Sequence, residues 1–351
     1  MRLASVSFTA RGSRLNASLN QALTLQGYVV ESWAMEKYAG ETGLLPLKEP
    51  LREWTGRMFE KMDGLLFIGA TGIAVRSIAP YVQRKDQDPA VVVMDEKGVF
   101  AISLMSGHLG GANELAGVLA NLTGAIPVIT TATDVNGRFA VDVFAKKQNL
   151  AIDSLKAAKA VSADILDEKP VGLLSEFPVE GPVPEELTVL KDGEPFDGKT
   201  GMVLSLNEEK YPFINTLHLI PRIVTLGIGC KKGKTMEEIE SAVLEALRRN
   251  HLSVLCVRQA ASVDLKKEEP GILDFCEKYK LPFRTFSAQE LLRVEGDFSA
   301  SDFVTSVTGV NNVCERSAVL ASGNGKLIQK KMAGNGVTVA LALEKWSVDF
   351  E

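Results

Sequence analysis

A chain of 351 residues exceeds one ordinary core and is expected to form two or three domains. Its 46% hydrophobic and 24% charged content is ordinary for a globular protein, and a formal net charge of −5 argues against a nucleic-acid binder, which needs a basic surface. No run of about 18 apolar residues marks a membrane span, and Met1–Phe8 reads as a first strand rather than a signal peptide. Four widely spaced cysteines (Cys230, Cys256, Cys276, Cys314) with no C-x-x-C pair argue against a zinc site and a disulfide framework, and point to a reducing cytoplasm.

The first part of the chain alternates strand and helix signals. Ser5–Phe8 leads through a polar turn into a helix ending near Gln26. Tyr28–Trp33 is a second strand, Leu51–Met62 a helix, and Gly64–Ile68 a strand apolar on both faces, as in a parallel sheet. The turn Gly69-Ala70-Thr71-Gly72 opens a helix at Ile73–Ile78. Ala90–Met94 and Val99–Leu104 flank Asp95-Glu96-Lys97-Gly98, a hairpin signal. A glycine-rich turn with one of only three histidines follows, Ser106-Gly107-His108-Leu109-Gly110-Gly111, then a helix from Ala112 and a strand at Ile126–Thr131. This alternation implies a doubly wound, mostly parallel α/β domain over residues 1–136. Such sheets bind ligands beyond the carboxyl ends of their strands. The turns at Gly69–Gly72, Gly107–Gly111 and Thr130–Arg138 are all expected there, converging on one edge.

Residues 137–168 read as helical. Proline is frequent from Pro170 to Pro221, with short strands at Val171–Leu174, Leu187–Leu190 and Met202–Leu206, so residues 137–222 are expected to form a small middle α/β domain or an elaborated linker. A C-terminal α/β domain spans 223–351. It opens with the strand Ile223–Gly229, the basic turn Cys230-Lys231-Lys232-Gly233-Lys234, and a helix Met236–Arg249 capped by Thr235. Val254–Val257 reads as a strand, Ser262–Gly271 as a charged turn before a helix, Ser301–Thr308 and Cys314–Leu320 as helices, and Leu327–Met332 with Val337–Leu343 as a closing hairpin. There is no repeat and no low-complexity tract.

His108 is either a general acid or base, since its ordinary pKa lies near neutrality, or a structural histidine that hydrogen-bonds the turn; the glycine setting favours the functional role. Glu114, in the first turn of its helix, is either a second base or a carboxylate that suits the dipole. Asn113 is a mediocre helix former and asks for another reason. Asp134 or Asn136 reads as a cap, with Arg138 paired to Asp134 or to a ligand. Arg76 sits near a helix start, where a cation is disfavoured, which raises a ligand role. Lys231, Lys232 and Lys234 form a solvated loop or an anion cradle; the Walker spacing is not met. Cys230 invites a nucleophile reading, but it has no histidine nearby in sequence, and a cysteine at a strand end reads more readily as core. Lys266 with Glu269, and Glu315 with Arg316, read as ion pairs or helix-end charges. His218 and His251 read as structural or exposed.

Together these motifs resemble the CbiG family of anaerobic cobalamin biosynthesis. Ser106-Gly107-His108-Leu109-Gly110-Gly111-Ala112-Asn113-Glu114-Leu115-Ala116 resembles its signature, and Thr133-Asp134-Val135-Asn136-Gly137 the motif after it. Leu226-Gly227-Ile228-Gly229-Cys230-Lys231-Lys232-Gly233 resembles the start of its C-terminal domain, and Ser262–Gly271 and Gly309–Arg316 resemble later blocks. The resemblance covers essentially the whole chain.

What the resemblance implies is hydrolysis of cobalt-precorrin-5A. Water opens the δ-lactone of a ring-contracted cobalt tetrapyrrole, and a two-carbon unit leaves as acetaldehyde, giving cobalt-precorrin-5B. No cofactor or protein-held metal is then expected, the cobalt arriving within the substrate. His108 or Glu114 would activate water, and N–H groups of Gly110 and Gly111 would hold the oxyanion, one such donor being worth about 3–4 kcal/mol. Gly69, Gly72, Arg76, Gly107, Gly110, Gly111, Asn113, Asp134, Asn136, Arg138, Lys231, Lys232, Lys234, Lys266, Asn311 and Glu315 would contact the polycarboxylate substrate, expected to lie between the N- and C-terminal domains. A homodimer and contact with neighbouring corrin-pathway enzymes are further expectations; nucleic acid and membrane are not expected partners. Two alternatives stay open: a non-catalytic tetrapyrrole carrier, and a nucleotide- or phosphate-binding enzyme.

Overall fold

The computed structural model describes residues 1–84, 87–300 and 311–350. The helix expected at Ser301–Thr308 lies outside them, as do Gly309 and Val310. The chain divides into two compact units, Met1–Val143 and Phe144–Glu351.

The first unit contains, in order, β1 (Arg2–Ser7), α1 (Ala10–Leu25), β2 (Val29–Met35), α2 (Glu36–Thr42), β3 (Leu45–Leu47), α3 (Leu51–Lys61), β4 (Gly64–Ile68), α4 (Thr71–Ile78), β5 (Ala90–Met94), β6 (Phe100–Met105), α5 (Ala112–Thr123), β7 (Ile126–Val128) and α6 (Ala132–Val135). A further helix, α7 (Val141–Lys147), begins at its end. The sheet order is β3-β2-β1-β4-β5-β6-β7.

Alternation along the strands feeds two cores. Leu66 and Ile68 pack with Leu19 and Leu23 of α1 and Leu115 and Leu119 of α5. Leu65 and Phe67 pack on the other face with Trp54 and Met58 of α3 and Ile78 of α4. Each such large side chain, fully buried, contributes about 1.5–3 kcal/mol. Helices on both faces of a mostly parallel sheet make this a doubly wound unit, as the alternation implies.

One expectation fails here. β5 and β6 are antiparallel, joined by the hairpin at Asp95–Val99, while β7 runs parallel to β6. The carboxyl ends of β6 and β7 therefore lie at the opposite edge of the sheet from that of β4. The turns at 106–111 and 130–138 share one edge, and Gly69, Gly72 and Arg76 lie at the other. The β5–β6 ladder also carries a bulge. Val91 pairs with Met105 and Val92 with Ser103, which leaves Leu104 as the extra residue.

The second unit holds two five-stranded sheets. β8 (Leu150–Ile152), α8 (Leu155–Leu166), β9 (Val171–Ser175), β10 (Val179–Glu180), β11 (Leu187–Leu190), β12 (Thr200–Leu204) and β13 (Asn215–Pro221) come first. Five of these strands form the sheet β11-β9-β12-β13-β8, parallel except for β8. Then come β14 (Val224–Cys230), α9 (Met236–Arg249), β15 (Val257–Val263), α10 (Pro270–Tyr279), β16 (Phe283–Phe286), α11 (Ala288–Leu292), a helix at Cys314–Ala321, β17 (Lys326–Gly334), β18 (Val337–Leu343) and β19 (Val348–Asp349). The second sheet is β16-β15-β14-β18-β17, and β19 pairs with β10.

The two sheets are not independent. Ala151, Leu206, Ile220 and Ile223 share a core with Val224, Leu226, Val243, Phe275 and Leu341. The prolines of residues 170–221 thus punctuate a packed sheet rather than a linker. Thr235 caps α9 through a reciprocal capping box with Glu238, which explains why that helix starts where its sequence says. The strand expected at Val254–Val257 begins only at Val257, because the Ser253 hydroxyl accepts from the Leu255 N–H and holds Val254–Cys256 in a 3-10 turn.

Candidate active site

The histidine turn closes on itself. Ser106 adopts a left-handed backbone, φ 57°, which costs a non-glycine residue roughly 1–2 kcal/mol. Its hydroxyl is buried without a partner. Gly111 donates its N–H to the His108 carbonyl (3.0 Å), Ala112 to Ser106 (3.1 Å) and Asn113 to Gly107 (3.0 Å). The start of α5 is therefore spent on the turn, and the Gly111 N–H expected to hold an oxyanion is occupied. Glycine is required at 110, since a Cβ there would lie 2.3 Å from Ser106 Cβ.

Three elements then converge. His108 Nε2 lies 2.5 Å from Asp134 Oδ2 and its Nδ1 lies 2.9 Å from Asp142 Oδ1. Asn113 donates through Nδ2 to Asp134 Oδ2 and to Thr131 Oγ1, both at 3.0 Å, and accepts from the Ser103 hydroxyl at 2.6 Å. Asn113 sits in a helix as a bridging amide among three groups: Ser103 of β6, Thr131 just before α6, and Asp134 within it. Gly107 leaves room for it: a Cβ there would lie 2.7 Å from Asn113 Oδ1. Ser106, Gly107, His108, Leu109, Thr131 and Asp142 line an open depression of about 240 Å³.

The electrostatics follow from the geometry. The hydrogen bond to Asp142 raises the His108 pKa most; burial opposes it, and Asp134 adds to it, so the imidazole is pushed up to about 9. Burial works against the Asp142 carboxylate, but the His108 bond and charge and the Val143 N–H outweigh it and hold its pKa low. At neutral pH His108 is a cation between two anions. Expected as a base, it has no free lone pair in this arrangement.

The other expected residues distribute as follows. Glu114 is exposed on α5, one residue and so about 100° round the helix from Asn113; after burial, its charge is what raises the Tyr28 pKa. Asn136 closes the end of α6 through Nδ2 to the Ala132 carbonyl (2.8 Å) rather than capping the next helix. Arg138 ties its backbone N–H to Thr133 (2.9 Å). Arg76 lies in the last turn of α4, where the dipole favours a cation, so the argument from an awkward placement falls; its guanidinium folds back over Gly72. Asp142 was not singled out by sequence reading. A first-turn aspartate is unremarkable to the helix dipole, and only the fold brings it to His108.

The basic turn forms a second cluster, in the other unit. Gly233, at φ 80°, donates its N–H to Glu269 Oε1 (2.7 Å), and Lys266 Nζ donates to Glu269 Oε2 (2.8 Å). The expected Lys266–Glu269 pair is present, and it sits on the basic turn. Lys234 pairs with Glu238 (2.6 Å). Lys231 and Lys232 are exposed. Burial pushes the Cys230 thiol pKa up, which keeps it out of the thiolate form. Glu315 and Arg316 do not form the expected pair. The Glu315 carboxylate is fully buried and accepts from Ser299 and the Lys331 N–H, while Arg316 donates to Asn311 and to the carbonyls of Leu291 and Val294. Both Asn311 and Glu315 thus hold the fold together. His218 is buried against Asp153, and His251 is exposed.

Three family descriptions match the chain in order: Cobalamin synthesis G N-terminal over 53–134, Cobalamin biosynthesis central region over 139–221, and Cobalamin synthesis G C-terminus over 224–342. The Cobalt-precorrin-5A hydrolase of Salmonella typhimurium is 36% identical over 316 residues, 86% of this chain and 88% of that one. The chain belongs to the cobalamin synthesis G family. Another relative, the Cobalt-precorrin-5A hydrolase of Priestia megaterium, is 35% identical over 82% of this chain and 80% of its own. A solved cobalamin biosynthesis protein G homologue from Sulfolobus solfataricus is 22% identical, with a TM-score of 0.43, over 97% of this chain and 96% of that chain. In this G-family chain, the histidine cluster falls within and just beyond the stretch matched as N-terminal, and the basic turn falls within the C-terminal match. No helix among the described residues is long and apolar enough to cross a membrane.

Proposed function

We propose that the chain is a cobalt-precorrin-5A hydrolase, which adds water to the δ-lactone of a cobalt tetrapyrrole and releases acetaldehyde to give cobalt-precorrin-5B. Relatives bearing that name at 36% and 35% identity over most of the chain support the assignment. The single structural observation that carries it is His108 between Asp134 and Asp142 on an open depression. Lactone opening needs a group that accepts a proton from water and one that returns a proton to the leaving oxygen. This cluster contains both kinds. The cobalt enters as part of the substrate. Lys231 and Lys232, which exceed the carboxylates paired with the basic turn, suit the carboxylate side chains of such a substrate.

The test is acetaldehyde trapping with isolated cobalt-precorrin-5A under anaerobic conditions. Wild type is expected to release acetaldehyde, and His108→Ala to lose about 10²–10⁴-fold of the rate. Binding without acetaldehyde from wild type would make the protein a carrier. Undiminished release from His108→Ala would move the chemistry elsewhere.

A further inference from the structure

We propose that Asp134 is the general base and His108 the general acid of lactone opening, and that Asp142 is a positioning residue that keeps the imidazole charged and turned toward Asp134. This division of labour rests on the hydrolase reading above.

The geometry leaves His108 little choice. Each ring nitrogen faces a carboxylate oxygen, at 2.5 and 2.9 Å. A carboxylate oxygen only accepts, so both nitrogens must donate, and only the imidazolium carries two N–H groups. A neutral ring would aim a lone pair at an anion. Asp142 and Asp134 are the two charges that raise the His108 pKa; Asn113, Thr131 and Ser103, which bond into the same cluster, are neutral. An imidazolium cannot take a proton from water. The base must be a carboxylate, and the two are unequal: the Asp142 side chain is 19% exposed, that of Asp134 36%. Asp134 is the outer one.

The steps then balance. Asp134 takes a proton from water as the water oxygen bonds to the lactone acyl carbon. Neutralised, Asp134 loosens its hold on the His108 Nε2–H. The ring C–O bond breaks and the departing alkoxide takes that proton, leaving a free acid, an alcohol and a neutral imidazole with Nδ1–H still on Asp142. His108 Nε2 is now a base. It removes the proton of the freed hydroxyl, the carbon–carbon bond to the macrocycle breaks, its electron pair passes into the macrocycle, and acetaldehyde leaves. Asp134 returns its proton to the macrocycle carbon, and the resting state is restored. One histidine serves as acid and then as base because Asp134 alternates in charge while Asp142 stays ionised.

The experiment joins nitrogen NMR of His108 with pH–rate profiles of acetaldehyde release. In wild type, His108 should titrate as an imidazolium up to about pH 9, and the alkaline limb of kcat/KM should fall there. Asp134→Asn should lower kcat by 10²-fold or more with KM changed less than threefold. Asp142→Asn should move the alkaline limb, and the His108 titration with it, down by at least one pH unit, with Asp142→Glu restoring most of the shift. A neutral His108 at pH 7.5 in wild type would overturn the proposal, as would wild-type rates in Asp134→Asn or an unmoved limb in Asp142→Asn. The NMR result is read on wild type, so a variant that fails to fold does not shield the proposal. Absence of acetaldehyde from wild type would instead sink the hydrolase reading, with the titration still measurable.

Discussion

The glycine turns at His108 and at Gly233 are built by one plan and carry opposite charge. Each follows a strand and precedes a helix, and in each a carboxylate from elsewhere in its unit fixes the turn. Around His108, Asp134 and Asp142 enclose a single cation. Around Gly233, one buried glutamate ties the turn to Lys266, and Lys231 and Lys232 are left to solvent. The local pattern sets the backbone, and the partner that arrives through the fold sets the chemistry. A strand–glycine–helix stretch should therefore be judged by its distant neighbours before it is called an anion site.

Charge reversal is the largest lever on this contrast. Lys231→Glu combined with Lys232→Glu should raise KM for the polycarboxylate substrate roughly 10- to 100-fold, since exposed ion pairs are worth about 0.2–1 kcal/mol each and reversal changes both sign and count. The effect should shrink with added salt. An unchanged KM would leave the basic turn without a part in substrate binding.

Adding a methyl group probes the packing of each turn. Gly110→Ala should cost about 1–3 kcal/mol in urea unfolding, because its Cβ meets Ser106. Gly233→Ala has open space and should cost only the left-handed backbone strain, about 1 kcal/mol. Equal losses would erase the distinction between a closed turn and an open one.

The pH dependence of stability separates them further. His108 holds its proton more tightly folded than unfolded, so the stability it adds is complete below about pH 6.5 and is lost as pH rises through about 9. Denaturant midpoints measured across that window should decline for wild type and stay flatter for His108→Gln. The smallest effect is expected at Ser106. Replacing it with glycine should stabilise the fold by about 0.5–1 kcal/mol by relieving its positive φ; a lower melting temperature would show that the buried hydroxyl contributes more than its strain costs.

Much of the fold was legible because local signals agreed. The capping box at Thr235 and Glu238 fixes α9 to the residue, and the two-faced apolar run of β4 announces a buried parallel strand. Other features were not local. The hairpin after β5 was readable, but that it sends β6 and β7 to the other edge depends on which strands pair. α2 and β3 are short and lack a clear period, and were missed. His108 and Asn113 stood out as chemistry in a glycine setting. Asp142 did not, since 34 residues separate it from His108 and its helix alone accounts for an acidic first turn. Glu315 and Arg316 looked like neighbours in an ion pair, yet Glu315 is spent on Ser299 and the Lys331 N–H, and Arg316 on Asn311 and the carbonyls of Leu291 and Val294, partners that only the folded unit brings near.

The bulge at Leu104 has a mechanical meaning. Side chains alternate along a strand with period two, so one extra residue inverts the phase of everything after it. Leu104 acts as a single tooth in a gear train: it sets the angle at which β6 delivers the turn carrying His108, while Asp134 and Asp142 are delivered by separate elements. Deleting that one residue would restore a regular ladder and mesh the two halves one step out of time, so the site depends on an irregularity several residues upstream of any group that reacts.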